Sequence, residues 1–102
     1  MAVLGTDYEA VAASQTGQTM GPVGHVGDLL TRLIVSVGTS ATGTVSIADG
    51  NGAAMPITPA NTPIGCYSFD FGEGMRAQVA TTPGWKVTTG AGATVVAVGR
   101  FT

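Results

Sequence analysis

The stretch LLTRLIVSVG, residues 29–38, decides the fold class of this chain. Successive side chains of a β-strand point to opposite faces, and here the alternation separates two sets of residues. One face is predicted to carry Thr31, Leu33, Val35 and Val37, and the other Leu30, Arg32, Ile34 and Ser36. The β-branched side chains favour a strand over a helix. We therefore predict a β-strand that ends at Gly38.

The same alternation recurs downstream between turn signals. Val45 and Ile47 are predicted to point inward, and the run DGNG at residues 49–52 predicts a tight turn. The next strand, within residues 53–60, holds two prolines that cannot donate to a ladder, which places it at a sheet edge. In the stretch IGCYSFDFG, residues 64–72, an aromatic stripe is expected in the core. Its members are Tyr67, Phe69 and Phe71, and Cys66 on the other side is predicted to be a buried apolar residue.

The last part of the chain predicts a closing hairpin around a glycine turn at residues 90–92. Its inward candidates are Trp85, Val87, either Val95 or Val96, Val98 and Phe101. No window has a helical period, and turn signals recur roughly every 8–12 residues. Short strands at this spacing predict an all-β domain, either a β-sandwich or a small barrel, with jelly-roll-like or Greek-key-like connections.

Residues 1–27 form a polar segment that is punctuated by glycine and holds no sustained apolar period. It contains little that could form a core, so we predict an extended N-terminal arm with one short strand at residues 7–12. The chain then divides into the arm, residues 1–27, and a β-sandwich domain, residues 28–102. Such an arm is either mobile or ordered by lying on another surface.

The chain is poor in charge, with four Lys or Arg and six Asp or Glu among its 102 residues. The charged fraction is 10%, against about 25% in an average domain. A net charge of -2 and singly scattered basic residues argue against binding to nucleic acid. One cysteine excludes an internal disulfide. Without a signal-peptide or membrane-helix pattern, we predict a soluble protein that is made in the cytoplasm.

No combination of residues predicts an active site. His25 is the only histidine, and its neighbour Asp28 completes only a low-specificity pattern for general-base chemistry. Asp70 and Glu73 are interpreted as a solvated turn rather than as the paired carboxylates of a glycosidase. The turn at residues 49–52 lacks the distal acid of a calcium loop. We predict a non-enzymatic protein with no catalytic residues, no cofactor, no metal and no small-molecule substrate.

Three stretches resemble a group of small virion-associated proteins encoded by tailed bacteriophages. The first joins Gly27 and Asp28 to residues 30–34, the second is the hairpin at residues 43–50, and the third is residues 85–101. The patterns "GD-L-RLI", "G-VSI-DG" and "W-VTTGA…V-AVG-F" recur in the same order in that group. They are patterns of strands and turns rather than catalytic motifs.

The resemblance implies a structural protein of the virion, and most specifically a capsid decoration (cement) protein that binds and stabilises the phage head shell. The implied partners are further copies of the chain, as a trimer or another homo-oligomer, and the major capsid protein, but no nucleic acid or membrane. The protein would be made in the cytoplasm of the bacterial host and reside in the virion. The residues expected to make assembly contacts are Asp7, Tyr8, Glu9, Gly21, Pro22, His25, Asp28 and Arg32.

Two other functions remain open at this point. The first is a tail, collar or fibre-base component of the same particle. The second, from a different class, is a carbohydrate-binding module in which Trp85 and Tyr67 stack on sugars of the host surface.

Overall fold

The computed structural model describes residues 7–21, 24–39, 42–80 and 84–102, and these residues form eight β-strands. In chain order the strands are β1 (Asp7–Val11), β2 (Gln18–Thr19), β3 (Leu29–Val37), β4 (Val45–Asp49), β5 (Met55–Thr58), β6 (Gly65–Arg76), β7 (Trp85–Thr88) and β8 (Ala93–Arg100). All their pairings are antiparallel. Within these ranges there is no helix that is long and apolar enough to cross a membrane.

The strands form two sheets whose order identifies the fold. Sheet I has the order β1-β8-β3-β6, and sheet II has the order β2-β7-β4-β5. The chain changes sheet at every connection except the one between β4 and β5. This arrangement is an eight-stranded jelly roll, so the predicted all-β sandwich is confirmed. The proline-bearing strand β5 lies at the edge of sheet II, as its sequence predicts.

The core fills the space between the inner faces of the two sheets. The predicted inward residues Val45, Ile47, Trp85 and Val87 are all buried. The bulkiest side chains in the core with almost no exposure are Met20, Leu30, Leu33, Ile47, Val11, Val35, Val45, Val87 and Val95. Burial of this apolar surface is the main stabilising contribution to a domain of this size.

The described part of the N-terminal segment belongs to the sandwich. Strand β1 confirms the predicted short strand and pairs with β8 from Asp7, opposite Gly99, to Val11, opposite Val95. Strand β2 pairs with β7. Val11 and Met20 are fully buried, so the segment supplies apolar residues to the core that its polar composition conceals. Because of these pairings, residues 7–21 do not form an arm that is separate from the domain beginning at residue 28.

A β-bulge interrupts the predicted alternation near the start of β3. The register shifts between Leu30 and Arg32 against both neighbouring strands, β6 and β8. The partners of Leu30 and Arg32 on β6 are Met75 and Asp70. Four residues of β6, 71–74, therefore lie opposite the single residue Thr31. The irregularity turns Leu30 into the core, whereas strict alternation predicts that it shares a face with Arg32.

Cys66 is exposed, contrary to the prediction that it is buried. It alternates on β6 with Tyr67, Phe69 and Phe71, which pack against the core as predicted. These aromatic rings are only partly buried because β6 is an edge strand of sheet I. The thiol side of the strand therefore faces away from the core.

The inward face of β8 is set by Val95 rather than by Val96 or Val98. Ala93, Val95 and Ala97 are buried and alternate with partly or fully exposed residues. Val98 points outward, contrary to the prediction that it lies in the core, because it is two residues from Val96 and so faces the same side of the strand. Two large β-branched residues are thereby placed on the outer surface of sheet I.

Candidate functional site

The outward-facing side chains of sheet I form one continuous surface, which we call the apolar face. Cross-strand pairing arranges them in rows, because directly opposed residues share a face of the sheet. The first row is Tyr8, Val98, Arg32 and Asp70, the second is Ala10, Val96, Ile34 and Ser68, and the third contains Thr94, Ser36 and Cys66.

The centre of this surface is apolar. Ile34 lies directly opposite Val96, with Ala10 and Val98 beside them. Ile34, Val96 and Val98 are partly exposed, and the ring of Tyr8 at the rim is 76% exposed. An antiparallel sheet that faces water on its outer side carries polar residues there. These contiguous aliphatic side chains make the outer face of sheet I a candidate surface for contact with another molecule.

The outer face of sheet II has a different character. Ser46 pairs with Thr88, Ala48 pairs with Lys86, and Lys86 pairs with Thr19. The Lys86 ammonium Nζ donates to the Thr19 hydroxyl at 3.2 Å. Small and hydroxylated side chains of this kind are compatible with water. The contrast between the two outer faces singles out sheet I as the candidate interaction surface.

One ion pair lies at a corner of the apolar face. The Arg32 guanidinium Nη2 is 3.2 Å from Asp70 Oδ2, and both side chains are about half exposed. The backbone N–H of Gly72 donates to Asp70 Oδ1 at 2.9 Å. This hydrogen bond, followed by the one from Arg32, holds the pKa of Asp70 below its ordinary value of 3.8. Within the three rows, the face therefore carries one positive and one negative charge that are already paired.

The Asp70 contacts predict a pH-dependent contribution to stability. A lowered pKa in the folded state means that the contribution is present above the ordinary carboxyl pKa and is lost as the pH falls through the lowered pKa. The variant Asp70→Asn should be slightly less stable than the natural chain at about pH 7 and equal to it by about pH 2. Urea unfolding at both pH values measures this. A difference that grew on acidification would contradict the assignment.

A second cluster surrounds the buried carboxylate of Asp28, which is only 4% exposed. Its Oδ1 accepts a hydrogen bond from the Thr102 hydroxyl at 2.7 Å. Its Oδ2 accepts the backbone N–H groups of His25 at 3.1 Å and Thr102 at 3.2 Å. The backbone carbonyl of Asp28 accepts the N–H of Ala77 at 2.8 Å and the Trp85 indole N–H at 3.1 Å. Asp28 thus joins its own loop to three distant parts of the chain, at residues 77, 85 and 102.

The hydrogen-bond roles in this cluster favour an anchor over catalysis. The Thr102 hydroxyl donates its proton to Asp28, so its oxygen is left to accept from His25 Nδ1 at 2.8 Å. The network thereby assigns the hydrogen of His25 to Nδ1. The imidazole does not receive the hydroxyl proton, as activation of a nucleophile would require. His25 and Asp28 meet through Thr102 and fix the loop at residues 24–28.

Glu9 and Gly21 close the N-terminal segment in a similar way. The Glu9 carboxylate accepts the Gln18 side-chain amide at 2.8 Å and the backbone N–H of Gly21 at 2.7 Å. Gly21 has a φ of 82°, and a Cβ there would lie 2.7 Å from the backbone oxygen of Thr102. These contacts require glycine at position 21 and occupy both oxygens of Glu9.

The residues expected to make assembly contacts are thus divided by the fold. Tyr8 and Arg32 lie on the apolar face. Asp7 pairs with Gly99 through its backbone, and its side chain, like Pro22, lies outside the described residues. The carboxylates of Glu9 and Asp28 are engaged internally, and that of Asp28 is buried and hydrogen-bonded within the chain. The ring of His25 is exposed but bound to Thr102.

The aromatic pair considered for sugar stacking does not form an exposed platform. Trp85 is 3% exposed, and its indole N–H is shared between the backbone carbonyls of Asp28 and Met75, each at 3.1 Å. The hydroxyl of Tyr67 donates to the Pro63 carbonyl at 2.7 Å. Sugar stacking requires an accessible ring face, which Trp85 lacks in this fold.

The acid of the DGNG turn has a structural role. Asp49 Oδ2 accepts the backbone N–H of Gln78 at 2.8 Å, which ties the turn to the loop after β6. The backbone N–H of Gly52 donates to the Asp49 carbonyl at 2.9 Å, as in a tight turn. Across residues 7–21, 24–39, 42–80 and 84–102, no group of three or more His, Cys, Asp or Glu side chains could hold a metal ion.

No protein-family model, no curated protein and no solved structure matches this chain. The jelly-roll topology and the apolar face are therefore properties read from the chain itself. A jelly roll serves many functions, so the fold alone does not identify one.

Two features of these sites were not predicted from the sequence. The centre of the apolar face includes Val96 and Val98, and Val98 was expected in the core. A signal for the correct phase exists, because polar Thr94 and Arg100 lie on the same side of the strand as these valines. The role of Thr102 had no comparable signal, since its partner Asp28 is 74 residues away in the sequence.

Proposed function

We propose that this protein is a non-enzymatic structural component of a bacteriophage particle, most specifically a capsid decoration protein. In that role it would bind the head shell as a homo-oligomer and stabilise it. The apolar face is the observation that carries the proposal, because a protein whose task is assembly must have a surface that its neighbours cover. The aliphatic centre of sheet I, formed by Ile34, Val96 and Val98, meets this requirement.

The small number of exposed charges supports the same proposal. Covering a charge without a partner costs far more free energy than covering a hydroxyl or an aliphatic side chain. Asp28 is buried, Glu9 and Asp49 are bound to the chain's own amides, and Arg32 is paired with Asp70. Neighbouring subunits could therefore cover much of this surface at a small desolvation cost.

The fold and the resemblance both support a virion protein, and the fold is the weaker of the two arguments. Double-sheet jelly rolls occur in viral capsid domains and in lectins, which is an analogy at the level of fold. The resemblance of residues 27–50 and 85–101 to small virion proteins of tailed phages favours the particle over the lectin. The burial of Trp85 weakens the sugar-binding alternative further.

The test is binding of the purified chain to phage head shells. Expanded shells that lack the protein should bind it saturably, in a fixed ratio to the major capsid protein, and should resist heat or chelator better afterwards. Cosedimentation and quantitative gel analysis measure the ratio, and unexpanded shells provide the control. Recovery of the protein with purified tails in a few copies per particle would instead identify a tail, collar or fibre-base component. Absence from both fractions would remove the proposal.

A further inference from the structure

We infer that the apolar face is the contact between two copies of this chain, which pack sheet I against sheet I about a two-fold axis. The inference goes beyond the proposed function, because it names the surface and the occupant and requires no capsid. A two-fold contact uses the same patch on both copies, so the patch must complement itself in shape and charge. The apolar face meets the charge condition, because its Arg32 and Asp70 pair with each other.

Charge complementarity favours a second copy. Within the three rows the charges are Arg32 and Asp70, which already pair with each other, so the face needs no counter-charge from its partner. Arg100, the next charge on β8, lies one row beyond. If the axis runs along the strands, the row order places Arg32 over Val98 of the second copy. If it runs across them, Arg32 lies over Ser36. In neither arrangement do like charges meet.

The same rows bring apolar groups together. With the axis across the strands, the middle row packs on itself, so that Ile34 and Val96 contact their own equivalents in the second copy. Aligned sheets pack about 10 Å apart when their facing side chains interdigitate. The small residues Ala10 and Ser68 at either end of this row leave room for such interdigitation.

The size of the face predicts a weak association. Four strands about 4.8 Å apart and three rows about 6.8 Å apart cover roughly 400 Å² per copy. Allowing for protruding side chains, the contact would bury on the order of 1,000 Å² in total, which is near the lower limit for a specific interface. We therefore expect a dimer with a dissociation constant in the micromolar range or above.

The sheet edges offer a poorer contact than the face. Strand β6 departs from its ladder at residues 71–74, β5 contains Pro56, and β2 has only two residues. Bulges, prolines and short strands all hinder the addition of another strand. Strand β1 offers a five-residue edge. Packing of sheet faces therefore uses the larger and more regular surface.

The experiment is sedimentation velocity of the full chain from about 5 to about 500 μM, which spans the dissociation constants of weak dimers. The 10.1 kDa chain should approach twice its mass as its concentration rises. Ile34→Lys should weaken the dimer by at least about tenfold, because it buries an unpaired charge at the centre of the contact. Ser46→Lys is the matched control at the centre of the opposite sheet and should leave the dimer unchanged.

A second measurement keeps the natural face intact in case Ile34→Lys does not fold. Spin labels on the exposed Cys66 should lie within about 25 Å of each other in the dimer, since both sit on the contacting sheets. Labels on Ser46→Cys, in a Cys66→Ser background, should lie beyond about 30 Å, because both sandwiches separate them. A monomer at all concentrations, a trimer, or the reverse order of distances would overturn the inference.

This outcome is independent of binding to capsids. A dimer that is found with neither head shells nor tails would leave the inference standing and would remove the proposed function. A monomer that binds shells in a fixed ratio would overturn the inference and would leave binding to the head shell standing.

Discussion

Replacing Gly99 by alanine should lower the free energy of unfolding by about 3 kcal/mol or more. Gly99 lies in β8, opposite Asp7 on one side and Leu30 on the other. A Cβ at this position would overlap the backbone carbonyl oxygen of Leu29 and would lie 3.0 Å from the Cα of Leu30. These are backbone atoms beside the bulge of β3, so no change of rotamer can relieve the overlap. The two central strands of sheet I would have to separate.

Thermal unfolding followed by circular dichroism measures this effect. For a domain of this length, 3 kcal/mol corresponds to a decrease in Tm of at least about 12 °C. Gly38→Ala is the matched control, since its nearest neighbour is the carbonyl oxygen of Gly92 at 3.9 Å, and it should change stability by less than about 1 kcal/mol. If both variants unfolded at the same temperature, the close approach of β8 to the β3 bulge would be refuted.

The variant Asp28→Ala should lose about 3–5 kcal/mol of stability, which is a large part of the 5–15 kcal/mol of an ordinary domain. Three hydrogen bonds to a buried carboxylate would be lost, two from Thr102 and one from His25. Each of these bonds has a charged acceptor and contributes more than a neutral hydrogen bond, so the loss is large although the donor residues His25 and Thr102 are exposed. The anchor of the loop at residues 24–28 would then open next to Trp85, whose indole N–H depends on the Asp28 carbonyl.

Two further variants separate the parts of this effect. Asp28→Asn keeps one carbonyl acceptor and should be intermediate, while Thr102→Val should lose only the hydroxyl bonds, at about 1–2 kcal/mol. Asp70→Asn, at an exposed carboxylate, is the control for removing a negative charge. Urea titration of all four proteins gives the ranking. An Asp28→Ala protein as stable as the Asp70→Asn protein would show that the cluster does not anchor the loop.

The sequence predicts where the strands of this fold lie better than it predicts which of their side chains face the core. Alternation of large and small side chains locates β3 and β4, and prolines place β5 at an edge. The phase of β8 was ambiguous because Val95 and Val96 are adjacent and equally apolar. The bulge after Leu30 was also hidden, since nothing local distinguishes a shifted register from a regular one. Both depend on neighbouring strands that are distant in sequence.

The apolar face and the cluster around Asp28 differ in how far they could be predicted from the sequence. The sequence predicts Tyr8 and Arg32 as contact residues, and the pairing of strands places Ile34, Val96 and Val98 beside them. The anchoring contacts of Asp28 depend on Thr102 and Trp85, which are 74 and 57 residues away. Short-range patterns contain no information about such partners. Apolar residues in the polar N-terminal segment, such as Met20, were missed for the same reason.

The position of β8 in sheet I has a consequence for synthesis on the ribosome. Of the eight strands described above, this one is made last, yet it lies between β1 and β3 and pairs with both. Until it emerges, β1 has no partner and one side of β3 is an open edge. Unpaired strands of this kind are templates for aggregation. Sheet I therefore cannot be completed until β8 has been translated, and early partial order in this sheet would expose unpaired strands.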